Sequence, residues 1–299
     1  MLTSIVIPTY NRAHLIGRAI QSIVAQSSRD WELIVVDDGS TDNTEMVVAE
    51  FLSDKRIKYY RKKNSGAAET RNVGAAKANG DLITFLDSDD EADAHWLEKM
   101  TCPFDDKDVA VVCCGVRRLD NRGNTLGTDM PFSMEPMFAD VKGRFTHGGV
   151  YLMYRSAFLA IGGFDPLLKS GQHTEMSLRL IPYLFNQKQK IKNLEEALIR
   201  AHVHDGPRIR YNLNAIFEGS RRMLLKHEEL FKRDKKQYIN YLSVAGVTGV
   251  KTKHYSEAKN YFLKALKQKP FSFLLAIRWA VSNIPIVRDH VWKKGSKNL

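Results

Sequence analysis

The sequence predicts an α/β protein built on a mostly parallel sheet, followed by a helical extension. Short apolar runs alternate with longer amphipathic runs over roughly the first hundred residues, which is typical of parallel strands joined by helices. Polar residues follow the apolar runs, at the positions where parallel sheets bind ligands. From about residue 210 the pattern becomes helical and strongly basic.

The individual segments follow that alternation in order. Segments with strand spacing alternate with segments of helical spacing, and the second helix opens with capping residues. We predict strands at 4–8, 32–38, 57–61 and 82–86, and helices at 14–26, 41–52 and 67–78. Such an order places helices on both faces of the sheet.

Beyond residue 100 the pattern is less regular. Strands are predicted at 108–119 and 146–155, a helix at 170–185 and an extended segment at 195–204. Residues 255–270 resemble the second helix of a tetratricopeptide unit, but a single copy does not support a solenoid. We therefore predict a sheet domain over 1–208 and a basic helical region over 209–299.

The charge of the chain is divided unevenly between these two parts. The formal net charge is +11, and residues 181–299 hold 24 Lys and Arg against 9 Asp and Glu. A basic region attracts nucleic acid, anionic lipid or phosphate-bearing ligands alike. Because no helix-turn-helix, RNP or OB pattern is present, we expect no nucleic-acid partner.

The sequence also predicts a cellular compartment. The three cysteines, Cys102, Cys113 and Cys114, lack the spacing of a zinc site or a disulfide framework, which fits a reducing cytosol. The first residues lack the features of a signal peptide, and no apolar run reaches the roughly 18 residues of a membrane span. We expect a cytoplasmic protein, with peripheral attachment to the inner face of the cell membrane left open.

An acidic segment follows the fourth predicted strand. LITFL runs directly into five acids within seven residues, with no basic residue among them. Asp87 and Asp89 alternate on an extended segment and so project toward the same side. Mg²⁺ is commonly held by one or two carboxylates plus substrate phosphates. Carboxylates also act as general acids or bases, and Asp90 can cap a following helix. The residues by themselves leave all three readings open.

Four segments resemble glycosyltransferase family 2, whose nucleotide-sugar-binding fold is called GT-A. They are SIVIPTYNRAHLIGRAIQSIVAQ, ELIVVDDGSTDNT, GAAETRNVGAAKANGDLITFLDSDD and GGVYLMYRSAFLAIGGFDPLL, in the family's order over residues 3–168, with a weaker continuation to about 210. The resemblance implies an inverting transfer of a sugar from a nucleoside diphosphate, with UDP favoured. It also implies a saccharide or lipid-linked acceptor in glycan assembly, and Mg²⁺ or Mn²⁺ as cofactor.

The resemblance assigns most of the site residues. Those expected to bind the nucleotide are Pro8, Thr9, Tyr10, Arg12, Asp38, Arg71, Asp87, Ser88 and Arg208. Those expected to bind the metal are Asp87, Asp89 and His204.

Ordinary structural roles remain open for three of these residues. Tyr10, expected to stack on the nucleobase, also fits a plain tyrosine of the rim or core. Asp38, expected to accept hydrogen bonds from the base or ribose, also fits a turn with Gly39 and Ser40. Arg71, expected near the base or diphosphate, also fits a solvated charge on a helix.

At the catalytic base the sequence departs from the family, which usually has an acidic pair after GGFD. Aligned on LRL, that pair becomes Gln172 and His173, and Glu175 follows two residues later. An imidazole can take a proton near neutral pH, and so can a carboxylate. The two side chains lie about 200° apart on a helix, so we expect one of them to face the site. We favour Glu175, which also fits a helix-dipole role, and keep His173 as the alternative.

A second polar cluster lies in AHVHDGPRIR. Alternation puts His202 and His204 on one side of an extended run, before an Asp-Gly-Pro turn. The segment resembles a late region of the family in which a histidine and an arginine approach the donor diphosphate or the metal, here His204 and Arg208. A strand histidine followed by the solvated arginines Arg208 and Arg210 also fits.

Three roles are open for the basic helices: covering the sheet domain, binding a partner or a second copy, and docking on an anionic membrane surface. In the last, apolar side chains enter the interface while basic ones meet headgroups. The apolar set would be Phe271, Phe273, Leu274, Leu275, Ile277, Trp279, Val281, Ile284 and Trp292, and the basic set Arg278, Arg288, Lys293 and Lys294.

Two other enzyme classes are excluded by missing motifs. No Gly-x-Gly-x-x-Gly follows the first strand and no Gly-Lys-Ser/Thr occurs, which argues against a nicotinamide oxidoreductase and a P-loop phosphotransferase. The remaining alternative to a glycosyltransferase is a sugar-nucleotide-binding or scaffold protein that has lost its base, because position 173 is not acidic.

Overall fold

The chain divides into two compact units. The computed structural model describes residues 1–133, 137–138, 144–145, 150–203 and 212–285. One unit comprises residues 1–167 and 172–205, and the other comprises 168–171 and 206–299. The first unit contains the large sheet, and the described part of the second is almost entirely helical.

The first half of the large sheet is parallel, as predicted. Its strands are β1 (Thr3–Thr9), β2 (Trp31–Asp37), β3 (Ile57–Arg61) and β4 (Leu82–Phe85). They lie in the order β3-β2-β1-β4. The connections contain α1 (Ala13–Val24), α2 (Thr44–Ala49) and α3 (Ala67–Lys77). The predicted α/β alternation is confirmed here, with α2 shorter than the predicted 41–52.

The second half of the sheet is mixed. Its strands are β5 (Asp90–Ala92), β6 (Val109–Leu119), β7 (Thr125–Asp129), β10 (Tyr151–Tyr154) and β11 (Lys190–His202), while β8 (Phe132–Ser133) and β9 (Arg144–Phe145) pair separately. β10 lies antiparallel between β4 and β6, and β11 lies parallel to β6 and antiparallel to β5. Asp90 therefore begins a strand, and the alternative of a helix cap at Asp90 is wrong.

The remaining helices of this unit are α4 (Trp96–Thr101), α5 (Arg155–Ala160) and α6 (Gln172–Asn186), with a 3-10 helix at Cys102–Asp105. All residues of β1, β2 and β4 are buried, as expected for parallel strands covered on both faces. α1 packs through Ile16, Ala19, Ile20 and Ile23, which share one helical stripe. Burial on both faces leaves the strand ends as the accessible part of the parallel half.

The second unit contains α7 (Leu213–Arg233), α8 (Lys235–Lys251), α9 (Tyr255–Gln268) and α10 (Phe273–Asn283). A Cβ on Gly246 would lie 2.6 Å from the Phe262 ring, so α8 and α9 approach closely only with glycine there. Among the described residues, no helix combines the length and the apolar character that a membrane crossing needs. Leu275 is buried in this unit, so its predicted membrane contact is wrong.

Candidate functional site

The polar segments after the parallel strands meet at one edge of the sheet. Thr9, at the end of β1, pairs in register with Asp37, at the end of β2. Leu86, just past β4, donates its backbone N–H to the Val6 carbonyl of β1 at 3.1 Å. The segments that begin at Tyr10, Asp38 and Asp87 therefore leave the sheet side by side, at the edge where parallel sheets bind ligands.

The turn after β1 is tied to the turn after β2. Asn11 has a left-handed φ of 52°, and its backbone N–H donates to Ser40 Oγ at 2.9 Å. The Thr41 N–H donates back to Asn11 Oδ1 at 2.8 Å. Tyr10 precedes this left-handed residue and keeps 47% of its surface exposed. An exposed ring on a fixed turn is suited to stacking against a planar ligand.

Four other predicted nucleotide contacts lie in or beside these turns. Thr9 is buried, and its Oγ1 has no hydrogen-bond partner among the described residues. Pro8 lies beyond the last β1 residue paired with β4, where its missing N–H is tolerated. The Arg12 N–H donates to Thr44 Oγ1 at 3.0 Å, and Ser88 is buried. A buried hydroxyl without a partner marks a position where a ligand can supply one.

The turn after β2 is held by Asp37. Its Oδ1 accepts from the Ser40 N–H at 2.7 Å and its Oδ2 accepts from the Tyr59 hydroxyl at 2.7 Å. Burial raises the pKa of Tyr59, and the bond to Asp37 raises it further, so the hydroxyl remains a donor. The turn-forming role considered for Asp38 thus belongs to its neighbour.

Asp38 organises the loop that precedes α3. Its carboxylate accepts from the backbone N–H groups of Ser65 and Gly66, each at 2.8 Å, and from the Lys62 ammonium. Gly66 has φ 93°, a backbone conformation that favours glycine. A carboxylate has about four acceptor positions, so Asp38 can both hold this loop and accept a further donor from a ligand.

Arg71 is buried, so the alternative of a solvated helical charge is wrong. The residue is 5% exposed, and its guanidinium donates through Nη1 to Gln172 Oε1 at 2.8 Å and through Nη2 to Asp87 Oδ1 at 2.5 Å. Its Nε lacks a partner among the described residues. The Phe164 ring lies 5.7 Å from the guanidinium carbon. One arginine on α3 therefore joins the segment after β4 to the start of α6.

Asp87 lies in a field of positive charge. Burial acts to raise its pKa, but the charges of Arg71, His173 and Arg12, together with the hydrogen bond from Arg71, hold the pKa below its ordinary value. The carboxylate is therefore ionised at neutral pH. Because the arginines Arg71 and Arg12 stay charged, an anionic ligand placed at the rim would also be stabilised.

His173 lies beside the same cluster. Its Nδ1 is 3.0 Å from the Tyr151 hydroxyl, and its ring contacts the edges of Tyr151 and Phe164, with centroids 5.9 and 5.1 Å apart. Burial raises the pKa of Tyr151 well above its ordinary value, so this hydroxyl stays neutral. These contacts fix the orientation of the imidazole.

Glu175 occupies a different environment. It is fully buried, and both its carboxylate oxygens accept from Arg179, at 2.6 to 3.1 Å. Arg179 also donates to the carbonyl oxygens of Ile161 and Gly163. This fork fastens α6 to the Gly-Gly turn, which is a structural task. The geometry supports His173 over Glu175 at the rim, opposite to our preference from the sequence.

Basic side chains from distant parts of the chain contact the acidic segment. Glu91 on β5 accepts from Arg200 at 3.1 Å and lies 3.0 Å from His202, both on β11. The Asp89 carbonyl accepts from Arg18 of α1 at 2.8 Å. Negative charge that looks uncompensated in the sequence is therefore partly balanced by β11 and α1.

No cluster of three or more potential metal-ligating side chains occurs within the residues that the structure describes. His204 and Arg208 lie outside those residues. Asp87 and Asp89 remain as the described part of the predicted donor set. Two hard carboxylates fit a divalent cation that takes its other ligands from substrate phosphates.

The sequence analysis did not identify several residues that contact Arg71 and His173. Tyr151 and Phe164 look like ordinary core aromatics in the sequence, and only their contacts with His173 and Arg71 give them a role. Asn72 clamps Phe164 through both backbone groups, at 2.9 Å each. The Glu175 to Arg179 fork had a readable signal, because its i,i+4 spacing is that of a helical ion pair.

A family model described as Glycosyl transferase family 2 matches residues 4–162, just over half of the chain. An uncharacterized glycosyltransferase of Rickettsia typhi is 30% identical over 259 residues, covering 81% of this chain and 79% of that protein.

Two other relatives match shorter segments. The Escherichia coli enzyme named UDP-Glc:alpha-D-GlcNAc-diphosphoundecaprenol beta-1,3-glucosyltransferase WfgD is 47% identical over 98 residues, covering 32% of this chain and 38% of that protein. An uncharacterized glycosyltransferase of Rickettsia conorii is 47% identical over 87 residues, which is 29% of this chain and 14% of the relative. The matched segment is thus a small part of that relative's length.

Solved structures share the fold at low identity. S. aureus TarS 1-349 in complex with UDP-GlcNAc has a TM-score of 0.69 at 18% identity, covering 99% of this chain and 92% of that chain. Mannosyltransferase PcManGT from Pyrobaculum calidifontis, in complex with GDP-Man and Mn2+, has a TM-score of 0.59 at 15% identity, covering 98% and 84%. These similarities establish a GT-A fold.

Proposed function

The chain belongs to glycosyltransferase family 2, and from that membership we propose that it transfers a sugar from a UDP-sugar to an acceptor hydroxyl with inversion. The observation that carries the proposal is the rim cluster, in which Arg71, Asp87 and His173 lie together at the sheet edge where the segment beginning with the exposed Tyr10 also leaves β1. We assign catalysis to residues 1–208 and a non-catalytic helical role to 209–299.

The proposed donor site uses the turns at the carboxyl ends of β1 and β2. Tyr10 stacks on the base, and Thr9 Oγ1 and Asp38 bind the nucleoside, with Pro8 and Ser88 shaping the surrounding backbone. A uridine nucleotide is favoured because the Escherichia coli relative is named for UDP-Glc and the TarS structure holds UDP-GlcNAc. Because the Pyrobaculum protein is in complex with GDP-Man, guanine is the alternative nucleobase of the donor.

The proposed base is His173. Inverting transfer needs a group that takes the proton from the attacking hydroxyl. In the tautomer whose Nδ1–H donates to the Tyr151 hydroxyl oxygen, Nε2 is the nitrogen that accepts a proton. Glu175 is assigned a structural role, because its carboxylate is buried against Arg179.

The proposed diphosphate site combines cations with carboxylates. Arg12 and Arg71 favour negative charge on the leaving diphosphate, and Arg208 is assigned to the same group from the sequence. Asp87 and Asp89, with His204, would hold Mg²⁺ or Mn²⁺, which supplies Lewis-acid stabilisation of the departing diphosphate when bound. The acceptor is a saccharide or lipid-linked hydroxyl in glycan assembly.

A donor screen tests the proposal. Thermal unfolding is followed with UDP, GDP and CDP, each with Mn²⁺, because specific binding raises the melting temperature. Release of nucleoside diphosphate from a panel of nucleotide sugars is then measured with and without EDTA. We expect stabilisation by UDP and EDTA-sensitive release from a UDP-sugar.

The same screen separates the competing functions. Stabilisation by UDP without release from any sugar, in the presence of saccharide and lipid-linked acceptors, would identify a sugar-nucleotide-binding protein. Stabilisation by GDP alone would show that the donor carries guanine rather than uracil as its nucleobase. Release that persists in EDTA would remove the metal from the proposal while leaving the transfer reaction.

A further inference from the structure

The end of the second unit contains a long segment without acidic residues. Between Glu257 and Asp289 the sequence has no Asp or Glu, while it has six basic residues, Lys259, Lys264, Lys267, Lys269, Arg278 and Arg288. The segment includes α10 and most of α9. A stretch of this length with charge of one sign attracts anionic surfaces.

The turn between α9 and α10 and the start of α10 expose large apolar side chains. Phe271 is 101% exposed and Phe273 is 81% exposed. Leu274 and Ile277 are also exposed. We call these four residues the apolar tip. Single exposed apolar residues are ordinary, but a cluster that includes two nearly uncovered phenylalanines marks an interaction surface.

α10 has many more apolar residues than it has buried residues. Its sequence, FLLAIRWAVSN, contains one charged residue, Arg278, yet Leu275 and Ser282 are its only buried residues. A helix that is apolar on all sides is normally buried. α10 therefore presents apolar faces that the described part of the chain does not cover.

Basic side chains flank the apolar tip. Lys267 and Lys269 are exposed in the last turn of α9 and directly after it, a few residues before Phe271. Burial lowers the pKa of Arg278 on α10. Exposed aromatics beside lysines, with no carboxylate in the segment, form the pattern of a helix that lies at an anionic lipid interface.

We propose that the apolar tip docks into the surface of a membrane that contains anionic lipid, with Lys267 and Lys269 contacting the headgroups. α10 has 11 residues, about 16 Å of helix, and is too short to cross the roughly 30 Å hydrocarbon core. Phe271 and Phe273 would enter the region between headgroups and acyl chains. This inference does not depend on the proposed glycosyl transfer.

Vesicle binding of the full chain tests the proposal. Sedimentation is measured with vesicles of phosphatidylcholine alone and of phosphatidylcholine mixed with phosphatidylglycerol. We expect binding to the mixed vesicles that weakens as salt is added, because salt screens the headgroup attraction. Phe271→Ser with Phe273→Ser should lower the partition coefficient by about tenfold or more, and Lys267→Gln with Lys269→Gln by about fivefold per lysine.

Matched controls lie elsewhere in the same unit. Leu225 on α7 is 75% exposed, so Leu225→Ser removes an exposed apolar side chain outside the tip. Lys235 and Lys236 are exposed at the start of α8, so Lys235→Gln with Lys236→Gln removes the same charge. Both controls should bind mixed vesicles like the unchanged chain.

Three outcomes would overturn the proposal. One is no binding of the full chain to either vesicle. Another is an equal loss of binding in the tip variants and their controls. The third is a concentration-dependent dimer in sedimentation equilibrium that the phenylalanine variant abolishes, without vesicle binding, because the tip would then bind a second copy of the chain. Since no step of this experiment measures sugar transfer, its result is separate from that of the donor screen.

Discussion

β2 and β3 have a lysine–carboxylate pair near each of their two ends, in different surroundings. At the amino end Lys58 donates to Glu32 at 2.8 Å, and at the carboxyl end Lys62 donates to Asp38. Both carboxylates are nearly buried, with side-chain exposures of 7% and 6%. Because strands, charges and burial match, the remaining difference lies in what else each carboxylate contacts.

The amino-end carboxylate is enclosed by permanent partners. Glu32 accepts from Ser4 Oγ at 2.8 Å, from the Asn79 N–H at 2.6 Å and from Asn79 Nδ2 at 3.0 Å. Burial acts to raise its pKa, but Lys58 and these hydrogen bonds lower it to about 2. A saturated carboxylate of this kind stabilises the fold and has no acceptor position left for a ligand.

The carboxyl end is assembled from groups that can exchange partners. Asp38 holds a loop rather than a strand. At the same edge of the sheet, Thr9 Oγ1 and Arg71 Nε lack partners among the described residues, and neighbouring charges lower the pKa of Asp87. The comparison indicates that the amino edge of the sheet serves stability, whereas the carboxyl edge is where we propose that the ligand binds.

The largest predicted effect belongs to the carboxyl edge. We expect His173→Ala to lower turnover by about 10² to 10⁴, the usual contribution of a positioned base, while UDP binding stays nearly unchanged and the free energy of unfolding falls by about 1 kcal/mol, because the Tyr151 hydroxyl loses this hydrogen bond. Nucleoside diphosphate release and thermal unfolding measure the two properties. His173→Asp, which installs the family's usual carboxylate, should retain more turnover than the alanine variant.

Glu175→Gln is the matched comparison on the same helix. It breaks a buried pair and should lower the free energy of unfolding by about 3 kcal/mol. A variant that keeps full stability and loses turnover would restore Glu175 as the base. Full turnover in His173→Ala would remove His173 from the proposed mechanism.

The next effect tests the amino edge through pH. Because the folded pKa of Glu32 is lowered from 4.5 to about 2, its contribution is complete above pH 4.5 and is lost as the pH falls toward 2. The difference corresponds to about 3 kcal/mol. Glu32→Gln should lower the free energy of unfolding at neutral pH by about that amount, and should show a smaller change across this window than the unchanged chain.

Denaturant unfolding at a series of pH values measures this effect. Glu45→Gln is the control, because Glu45 is an exposed carboxylate paired with Arg61 and its removal should cost about 0.5 kcal/mol or less. An unchanged pH dependence in Glu32→Gln would show that the ionised Glu32 carboxylate and its partners do not contribute the predicted stability.

A smaller effect concerns the exposed ring at the carboxyl edge. Stacking of a base on an aromatic side chain contributes about 1–3 kcal/mol, so Tyr10→Ala should weaken UDP binding by about tenfold, as measured by calorimetry. Phe185 on α6 has similar exposure, 50% against 47% for Tyr10, and Phe185→Ala should leave the Kd unchanged. Equal effects of the two substitutions would argue against stacking.

The smallest effect contrasts the two lysines directly. Lys58→Met should lower the free energy of unfolding by about 1 kcal/mol, since the pair is partly solvated, without changing UDP affinity. Lys62→Met should weaken UDP binding by about fivefold, because it loosens the loop that positions Asp38. Calorimetry and denaturant unfolding of both variants provide the comparison. Equal changes in UDP affinity and in the free energy of unfolding would show that the two edges do not differ in role.

Much of this architecture follows from local patterns. The parallel half of the sheet was predictable because each strand and helix has its own hydrophobic period, and crossover rules leave few arrangements. The second half was not, because β10 enters antiparallel between β4 and β6, a pairing between segments that are far apart in the sequence. Nothing in YLMY indicates its neighbours.

The candidate site divides in the same way. The motifs after β1, β2 and β4 indicated the rim, because ligands of parallel sheets bind at the carboxyl ends of the strands. For the proposed base, the contacts of Glu175 with Arg179 favour His173, whereas the sequence favoured Glu175. The pairing of Arg179 with Glu175, one helical turn earlier, can be read from their spacing. Arg179 also donates to the carbonyl oxygens of Ile161 and Gly163, and only folding brings these groups close to it.

By itself the sequence determined the fold class, the order of the first strands and helices, and the acidic and basic division of the chain, since these depend on residue type and spacing. Tertiary structure decided which acids have partners. Glu91 is balanced by Arg200 and Glu32 by Lys58, across strands separated along the chain. A carboxylate's environment is set by the groups within a few ångströms of it, and folding brings those groups together from distant segments.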